Sequence, residues 1–441
     1  MTDLTGQLRS AMRQAGAATS AELQAACDAS QASVSRALAP LLSTAEVIKV
    51  GRGRNQAYVM PLQVPGVGVS VPITKVDESG EVSAFATLVP STSGRCWVAE
   101  ESGPAELHGG LPWFLADMRP QGFIGRTFAQ AHPELDLAAN PDHWNDDDVL
   151  KALCVAGEDL PGNLVVGAAS LDRLHALAPA IAQASDYPAL ADAALKGAVP
   201  GSSAGGEQPK FCAVNEGRAV IVKFSAARSA PADQRWRDLL VCEHLALQTL
   251  AGHGVAAAAS RIVMDAGRCF LEVERFDRTK QGRVGMVSLM AYDAQYVGRM
   301  DNWAAAATRL AERGLMRDDD ADTLRFLEAF GRLIGNTDRH YGNISLLIER
   351  GKWRLAPAYD MLPMIYAPVA GELVERDVDP GALASAADTL AAWKEARLLA
   401  RDYWQAVAGD NRISAGFRRL AQGHAAALDQ VRQGLPRAVV R

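Results

Sequence analysis

The fold of this chain is decided by the stretch Gly335-Asn336-Thr337-Asp338-Arg339-His340-Tyr341-Gly342-Asn343. Apolar residues at helical spacing predict a helix over about 322–334 before it, and the apolar run 344–348 predicts a strand after it. A turn and a second β run then lead to Asp360. The stretch is therefore expected to be a loop that enters a small sheet and has a carboxylate beyond the sheet.

This framework suits phosphoryl transfer. Asp338 and Asn343 have the D-x-x-x-x-N spacing of a kinase catalytic loop. Such a reaction needs one carboxylate to accept the hydroxyl proton, and an amide oxygen and a second carboxylate to hold Mg²⁺. D-x-x-x-x-N alone is common by chance, so the interpretation depends on residues elsewhere in the chain.

Two residues upstream support it. Lys223 ends the β-branched run 219–224, and a strand lysine reaches the α- and β-phosphates in kinase-like folds. Glu243 shares the apolar side of a helix predicted over about 233–250, where an unpaired carboxylate would be costly, so Lys223 is its natural partner. The alternatives are a lysine that extends to solvent and a glutamate at the edge of the apolar stripe.

Two further segments fit a nucleotide site. Glycines in 201–210, with Gly205 and Gly206 at its centre, would let backbone N–H groups approach a phosphate, although such stretches are more often linkers. The P-loop pattern G-x-x-x-x-G-K-[ST] is absent from the chain, which excludes that class of NTPase. The strand that begins at Cys269 runs into a turn; as a connector in an ATP cleft it would hold adenine by backbone groups and bring Asp277 to the ribose.

Residues 1–62 form a separate predicted unit. Three helices followed by a basic hairpin is the order of a winged helix-turn-helix, and six basic and four acidic residues give the unit a charge of +2. Any small helical domain also has an exposed polar helix, which is the alternative. The predicted DNA contacts are Arg36, Lys49, Arg52 and Arg54.

Composition excludes several classes. The 441 residues are 49% hydrophobic and 22% charged, which is typical of globular rather than disordered or fibrous chains. The net charge of −6 argues that any nucleic-acid contact is confined to one part. Six scattered cysteines without zinc spacing, no signal peptide and no apolar run of 18 residues predict a cytoplasmic protein without a membrane span.

In these motifs the sequence resembles the HipA family of bacterial serine/threonine kinases, the toxins of type II toxin–antitoxin systems. With its N-terminal unit, it resembles the YjjJ (HipH) branch, in which a DNA-binding domain precedes the kinase. The resemblance spans roughly residues 72–420. The matching segments are 203–210, 221–224, 274–278, 336–343 and Tyr359-Asp360, with 110–117 and 119–122 in the N-terminal subdomain.

The resemblance implies a role for each site residue. Asp338 would be the catalytic base with His340 in the same loop, Asn343 and Asp360 would bind Mg²⁺, and Lys223 would contact the ATP phosphates. Adenine would meet the backbone near Glu274 and Phe276, with Asp277 near the ribose. Ser203, or its neighbour Ser202, would be the autophosphorylated residue whose modification expels the glycine-rich loop. Gly342 and Glu207 depart from the family pattern, where a lysine and a small residue are common, and this weakens the inference on the protein substrate.

The sequence therefore predicts an α+β protein with a winged helix-turn-helix over 1–62, a linker over 63–71, a β-rich N-terminal subdomain over 72–170 and a kinase-like domain over 171–441. The expected activity is Mg²⁺-dependent transfer of the ATP γ-phosphoryl group to Ser or Thr. The alternatives are a DNA-binding regulator with an inactive or nucleotide-sensing kinase domain, and a small-molecule phosphotransferase. Expected partners are ATP, an unidentified protein substrate, duplex DNA, an antitoxin-like protein and a second copy of the chain.

Overall fold

The computed structural model describes residues 3–51, 56–103, 105–176, 180–196, 208–374, 376 and 385–430. The described chain is mixed α/β. Its named strands form four antiparallel sheets, and helices pack against each of them. No helix in these ranges is long and apolar enough to span a membrane.

The N-terminal unit has three helices and a small sheet. In chain order its elements are α1 (Leu4–Ala15), β1 (Ala17–Thr19), α2 (Ser20–Cys27), α3 (Gln31–Ser43), β2 (Ile48–Val50) and β3 (Ala57–Val59). The sheet order is β1-β3-β2. Thr19 and Glu22 form a capping box that starts α2, and Gly16 ends α1 with a φ of +81°. Strand β1 was not predicted; its three residues lie between two helices and pair with β3.

The residues just before the predicted linker are attached to the next sheet. The Leu62 N–H donates to the Pro90 carbonyl at 2.8 Å, and the Thr92 N–H donates to the Met60 carbonyl at 3.0 Å. Within the predicted linker Val64 is buried, and its carbonyl accepts the N–H groups of Val67 at 3.0 Å and Gly68 at 3.2 Å. This proline- and glycine-containing stretch therefore satisfies part of its backbone in a local turn.

The middle of the chain is a five-stranded sheet of order β7-β6-β5-β4-β8 with three helices. In chain order its elements are β4 (Val71–Val76), β5 (Val82–Pro90), β6 (Cys96–Glu100), β7 (Ala105–His108), α4 (Gly122–Ala131), α5 (Asp146–Ala156), β8 (Leu164–Val166) and α6 (Ala168–Ala176). Alternating apolar residues of the sheet pack on α5, and this cluster forms the core of the middle region.

A second, four-stranded sheet of order β11-β12-β10-β9 follows. Its elements, with the helices beside them, are α7 (Tyr187–Leu195), β9 (Lys210–Asn215), β10 (Arg218–Phe224), α8 (Pro231–Gly252), β11 (Ser260–Asp265) and β12 (Arg268–Glu274). Helix α8 packs on β12, so residues of β10 and α8 approach each other from sheet and helix.

The C-terminal region is mostly helical around a three-stranded sheet of order β13-β14-β15. Its elements are β13 (Met286–Ser288), α9 (Leu289–Tyr296), α10 (Trp303–Glu312), α11 (Asp318–Leu333), β14 (Ser345–Glu349), β15 (Lys352–Leu355), α12 (Leu390–Gly409) and α13 (Ala415–Gln430). The largest core cluster, which includes Trp303, Phe330, Trp393 and Trp404, lies here and extends to α8. This core fixes the end of α11, where the predicted loop begins.

Buried histidines make the stability of this core depend on pH. His424 is hydrogen-bonded to the Tyr366 hydroxyl and stacks on Trp404 with ring centroids 4.2 Å apart, and burial lowers its pKa to about 4. Burial likewise lowers the pKa of His244 to about 4. Between pH 6.5 and 4 the unfolded chain then binds more protons than the native chain, so stability falls as the pH falls through this window.

We therefore expect His424→Phe to lose less stability than the wild type between pH 7 and pH 4.5. The variant lacks one group whose pKa is lower in the folded chain than in the unfolded chain. Between pH 7 and pH 4.5 the unfolding equilibrium constant should therefore rise more in the wild type than in the variant, by a further factor of more than about ten. Urea unfolding at the two pH values measures it. Parallel losses in both proteins would contradict the assignment.

Candidate functional site

Lys223 on β10 is the centre of the site. Its ammonium group donates to Glu243 Oε1 at 2.7 Å and Oε2 at 2.9 Å, and it also contacts Asp360 Oδ1. The lysine side chain is 11% exposed and Glu243 is buried, so the ion pair is shielded from water. One cation therefore joins β10, α8 and the segment after β15.

The charges of this group depend on one another. Burial alone would lower the pKa of Lys223, but the carboxylates of Asp360 and Glu243 outweigh it and raise the pKa above its usual value. Burial raises the pKa of Glu243 to about 6 despite the lysine, while Lys223 and Lys210 hold the pKa of Asp360 below its usual range against burial. Lys223 thus stays protonated and Asp360 stays ionised at neutral pH.

Asp360 is held in an uncommon backbone conformation. Its φ is +52°, in the left-handed region that aspartate adopts more readily than most residues. Its carbonyl accepts a hydrogen bond from Asn336 Nδ2 at 3.3 Å. The other end of that amide, Asn336 Oδ1, accepts the Asp338 N–H at 3.0 Å. Fully buried Asn336 therefore connects the backbones of Asp338 and Asp360 through one side chain.

The side chains of Asp338 and His340 in the loop are exposed, and that of Asn343 is buried. The side chain of Asp338 is 50% exposed and that of His340 is 51% exposed, with Nε2 of the histidine 3.7 Å from Asp338 Oδ1. Asn343 is buried, and its Nδ2 donates to the Asp338 carbonyl at 2.9 Å and lies 3.4 Å from Asp338 Oδ2. The carboxylate of Asp338 is thus accessible to an acceptor while its backbone is fixed.

The surrounding core holds the loop in place. Trp303 Nε1 donates to the His340 carbonyl at 3.0 Å, and the Tyr359 hydroxyl donates to the Gly342 carbonyl at 3.0 Å. Arg339 Nε pairs with buried Glu328 at 3.1 Å. Asn336, Tyr341 and Asn343 are buried, while Thr337, Asp338 and His340 are exposed, so the side chains of Asp338 and His340 are presented on a rigid support.

Comparison with known proteins shows the family of the chain. The model of the HipA-like C-terminal domain matches residues 202–430, and that of the YjjJ-like toxin middle domain matches 67–175. The chain is 35% identical to Toxin YjjJ of Escherichia coli strain K12 over 450 residues, 99% of each protein. The chain belongs to the HipA-like toxins, in the YjjJ branch.

Solved structures with a HipA-like or kinase fold resemble the chain more distantly. HipA of Shewanella oneidensis MR-1, solved with HipB and its operator DNA, has a TM-score of 0.47 at 16% identity, covering 82% of this chain and 92% of that one. The Helicobacter pylori proinflammatory kinase CtkA has a TM-score of 0.35 at 12% identity, covering 51% of this chain and 88% of that one.

This HipA-like chain has a second lysine at the site that our sequence analysis left without a role. Lys210 on β9 is the register partner of Lys223 on β10, and it is buried. Burial and the neighbouring Lys223 lower its pKa to about 8, although Asp360 opposes them. The available signal was its position directly after the glycine-rich stretch and before a strand.

The connector after β12 makes contacts within the chain. The Glu274 N–H donates to the Ala259 carbonyl at 2.8 Å, and its side chain lies 3.6 Å from Arg218. Half-buried Phe276 packs against Tyr359 with ring centroids 5.6 Å apart, so it borders the site through the residue before Asp360. Glu274 and Phe276 thus lie on the strand end and turn where the adenine contact was predicted.

Asp277 is not free to contact a ribose in this structure. It is 4% exposed, and both of its oxygens are engaged by Arg275 at 3.0 Å, with Arg278 at 2.6 Å and the Gly162 N–H at 2.9 Å on Oδ2. The arginines lower its pKa against burial. These partners could not be predicted from the motif, because Gly162 is distant from Asp277 in the chain.

The remaining predicted residues do not all fall in the described chain. Ser203, Gly205 and Gly206, like Arg52 and Arg54, lie outside the described residues. Arg36 and Lys49 are exposed on α3 and β2 of the N-terminal unit. Within the described ranges no group of three His, Cys, Asp or Glu side chains could by itself hold a metal.

Proposed function

We propose that the chain is an ATP- and Mg²⁺-dependent serine/threonine protein kinase of the HipA type. The observation that carries the proposal is the contact of Lys223 with both Glu243 and Asp360, together with the bridge from Asp360 to Asp338 through Asn336. Lysine, glutamate and aspartate in this relation are the parts that a kinase uses to hold the ATP phosphates and their metal. Membership of the HipA-like toxins supports the same activity.

The donor set fits Mg²⁺. Asn343 uses its amide nitrogen on Asp338, which leaves its Oδ1 as a hard oxygen ligand, and Asp360 supplies carboxylate oxygens. When bound, the ion would neutralise charge on the transferred phosphoryl group. Lys223 would then exchange its contact with Asp360 for the ATP phosphates and keep the one with Glu243.

Asp338 would accept the proton of the serine or threonine hydroxyl. Its carboxylate is half exposed to solvent, and Asn343 and Asn336 hold its backbone by hydrogen bonds. His340 Nδ1 accepts the Gly342 N–H at 3.0 Å, which leaves its Nε2 protonated and facing Asp338. The histidine would orient the carboxylate or contact a phosphate oxygen.

Acceptor specificity tests the proposal against its rivals. The full chain is incubated with labelled ATP and Mg²⁺ and offered a library of serine-, threonine- and tyrosine-containing peptides and a set of small hydroxyl compounds. We expect transfer to serine or threonine. Transfer only to small compounds would identify a small-molecule phosphotransferase, and no transfer to any acceptor, including the chain itself, would favour a nucleotide-sensing regulator.

Ser203, or Ser202, would be phosphorylated by the chain itself. The domain boundaries would be 1–62, 63–71, 72–170 and 171–441. Family membership supports an antitoxin-like partner that restrains the activity. A second copy of the chain would let paired N-terminal units read two half-sites.

The N-terminal unit would be a winged helix-turn-helix that binds duplex DNA. The strand order β1-β3-β2 with α2 and α3 between β1 and β2 supports this, as do exposed Arg36 and Lys49. If these two and Arg52 and Arg54 each neutralise a phosphate, the affinity should fall with a log–log salt slope of roughly −3 to −4.

We expect Arg36→Ala and Lys49→Ala each to reduce that slope by about one, because each removes one phosphate contact. Lys352→Ala, an exposed lysine on β15, is the matched control and should leave the slope unchanged. Fluorescence anisotropy with labelled duplex DNA at several salt concentrations measures it. A flat salt response of the wild type would remove the DNA proposal and leave the kinase proposal intact.

A further inference from the structure

A cavity of about 410 Å³ lies between the middle sheet and the sheet β13–β15. None of the lysine, acidic or amide side chains of the candidate site lines it. Four aromatic rings, those of Phe85, Trp113, Phe114 and Trp353, form much of its wall. The rings of Phe85, Phe114 and Trp353 each pack edge-on against a neighbour in this group, so the wall is preformed. Its size and aromatic lining suit a small organic molecule.

A cationic side chain also lines this cavity. Arg283 is 6% exposed, and its backbone is fixed by the Arg283 N–H donating to the Asp77 carbonyl at 2.8 Å. Its Nη2 donates to the Glu158 carbonyl, and its Nη1 is buried without a hydrogen-bond partner among the residues that the structure describes. Burial and the nearby Arg278 lower the pKa of Arg283 to about 9, which reflects a cation that its surroundings stabilise poorly.

The charges behind Arg283 do not compensate it. Asp159 and Asp277 are each shared by Arg275 and Arg278, at 2.6–3.0 Å, and Glu158 pairs with Arg173 at 3.0 Å. In the described part of the chain no carboxylate lies within ion-pairing distance of Arg283. The cluster therefore has four arginines and three carboxylates, with the excess cation at the cavity.

An uncompensated buried cation is costly unless an anion joins it. The acidic residues that line the cavity are Asp77, Glu78 and Glu100. Asp77 uses its Oδ1 on the N–H groups and hydroxyl of its own turn, through Ser79 and Glu81, and neither Glu78 nor Glu100 reaches the guanidinium. Among the described residues, therefore, no carboxylate pairs with Arg283, whose side chain lines the cavity.

We propose that this cavity binds a small organic oxyanion, a carboxylate or phosphate on an apolar or aromatic body, with Arg283 as the residue that recognises the charged end. The aromatic wall would hold the body of the ligand by stacking, and the guanidinium would donate charge-assisted hydrogen bonds to the oxyanion. The proposal does not depend on the kinase activity, because no residue of the catalytic group is involved.

The probe is 1-naphthylacetate, added to the full chain and followed by isothermal titration calorimetry and by thermal denaturation. We expect it to bind and to raise the melting temperature. The neutral alcohol 2-(1-naphthyl)ethanol should bind at least about tenfold more weakly, because it lacks the charge-assisted hydrogen bonds. Inorganic phosphate alone should also bind more weakly, since it lacks the apolar body. Comparing the affinity for 1-naphthyl phosphate with that for 1-naphthylacetate shows whether the cavity prefers a phosphate or a carboxylate.

Two variants and a control test the assignment. Arg283→Met should weaken 1-naphthylacetate at least about tenfold. Ile348→Trp narrows the cavity from a partly exposed wall position and leaves Arg283 in place, so it should abolish binding. It provides the test should Arg283→Met fail to fold. Lys75→Gln removes an exposed charge from the same lining and should leave the affinity within about threefold. Equal binding of the acid and the alcohol, unchanged affinity in Arg283→Met, or no binding of any probe would overturn the proposal.

Discussion

Asp338→Ala is expected to abolish measurable phosphate transfer while leaving the affinity for ATP within about threefold of the wild type. A positioned general base contributes about a hundredfold to ten-thousandfold to a rate. The backbone of Asp338 is held by Asn336 and Asn343 through its N–H and carbonyl, and these contacts remain in the variant. The loop should therefore keep its shape and lose only the carboxylate.

Initial rates with labelled ATP and calorimetric titration of ATP measure the two quantities. Asp322→Ala is the matched control, because Asp322 is a 78%-exposed aspartate on α11 that pairs with Arg325. It should leave both quantities unchanged. Retained turnover in Asp338→Ala would refute the base assignment, and a parallel loss of ATP affinity would show that Asp338 acts in binding instead.

Asp360→Ala is expected to lose Mg²⁺-dependent nucleotide binding. Changing a residue that only supports a metal ligand costs about tenfold to a hundredfold in affinity, and a direct ligand should cost at least the upper end of that range. Lys223 keeps its pair with Glu243 in the variant, so no buried carboxylate is left without a cation. The fold should survive the loss of the site.

Titrations of ATP with Mg²⁺ and with a chelator separate the metal-dependent part of the affinity. The wild type should bind more weakly in chelator, and Asp360→Ala should bind equally weakly in both. Asp338→Ala, which keeps Asp360, should respond to Mg²⁺ as the wild type does. If Asp360→Ala still binds more tightly with Mg²⁺, the metal is held elsewhere.

Helical periodicity was enough to place Glu243 opposite Lys223. A carboxylate on the apolar side of α8 needed a cation, and the strand lysine was the nearest candidate in a sheet-and-helix unit; the structure has the two side chains 2.7 Å apart. The start of α2 depends on residues that are close in sequence in the same way, since Thr19 and Glu22 form its capping box within four residues. Short-range chemistry of this kind can be read directly from a sequence.

Long-range partners could not be read in that way. Asn336 was quoted within the motif without a role because its Nδ2 donates to the Asp360 carbonyl, 24 residues further along the chain. Asp277 was assigned to a nucleotide, while its oxygens are engaged by Arg275, Arg278 and the distant Gly162. Strand β1 is three residues long and gains its identity only by pairing with β3. Each of these features depends on a tertiary contact that spacing does not encode.

Peptide mass mapping of the chain after incubation with ATP and Mg²⁺, with wild type and Asp338→Ala treated side by side, tests the central claim most directly. We expect one added phosphoryl group on Ser203 or Ser202 in the wild type, absent without Mg²⁺ and absent in Asp338→Ala. An unmodified wild-type chain that also transfers phosphate to no peptide, or the same phosphoserine in Asp338→Ala, would contradict it.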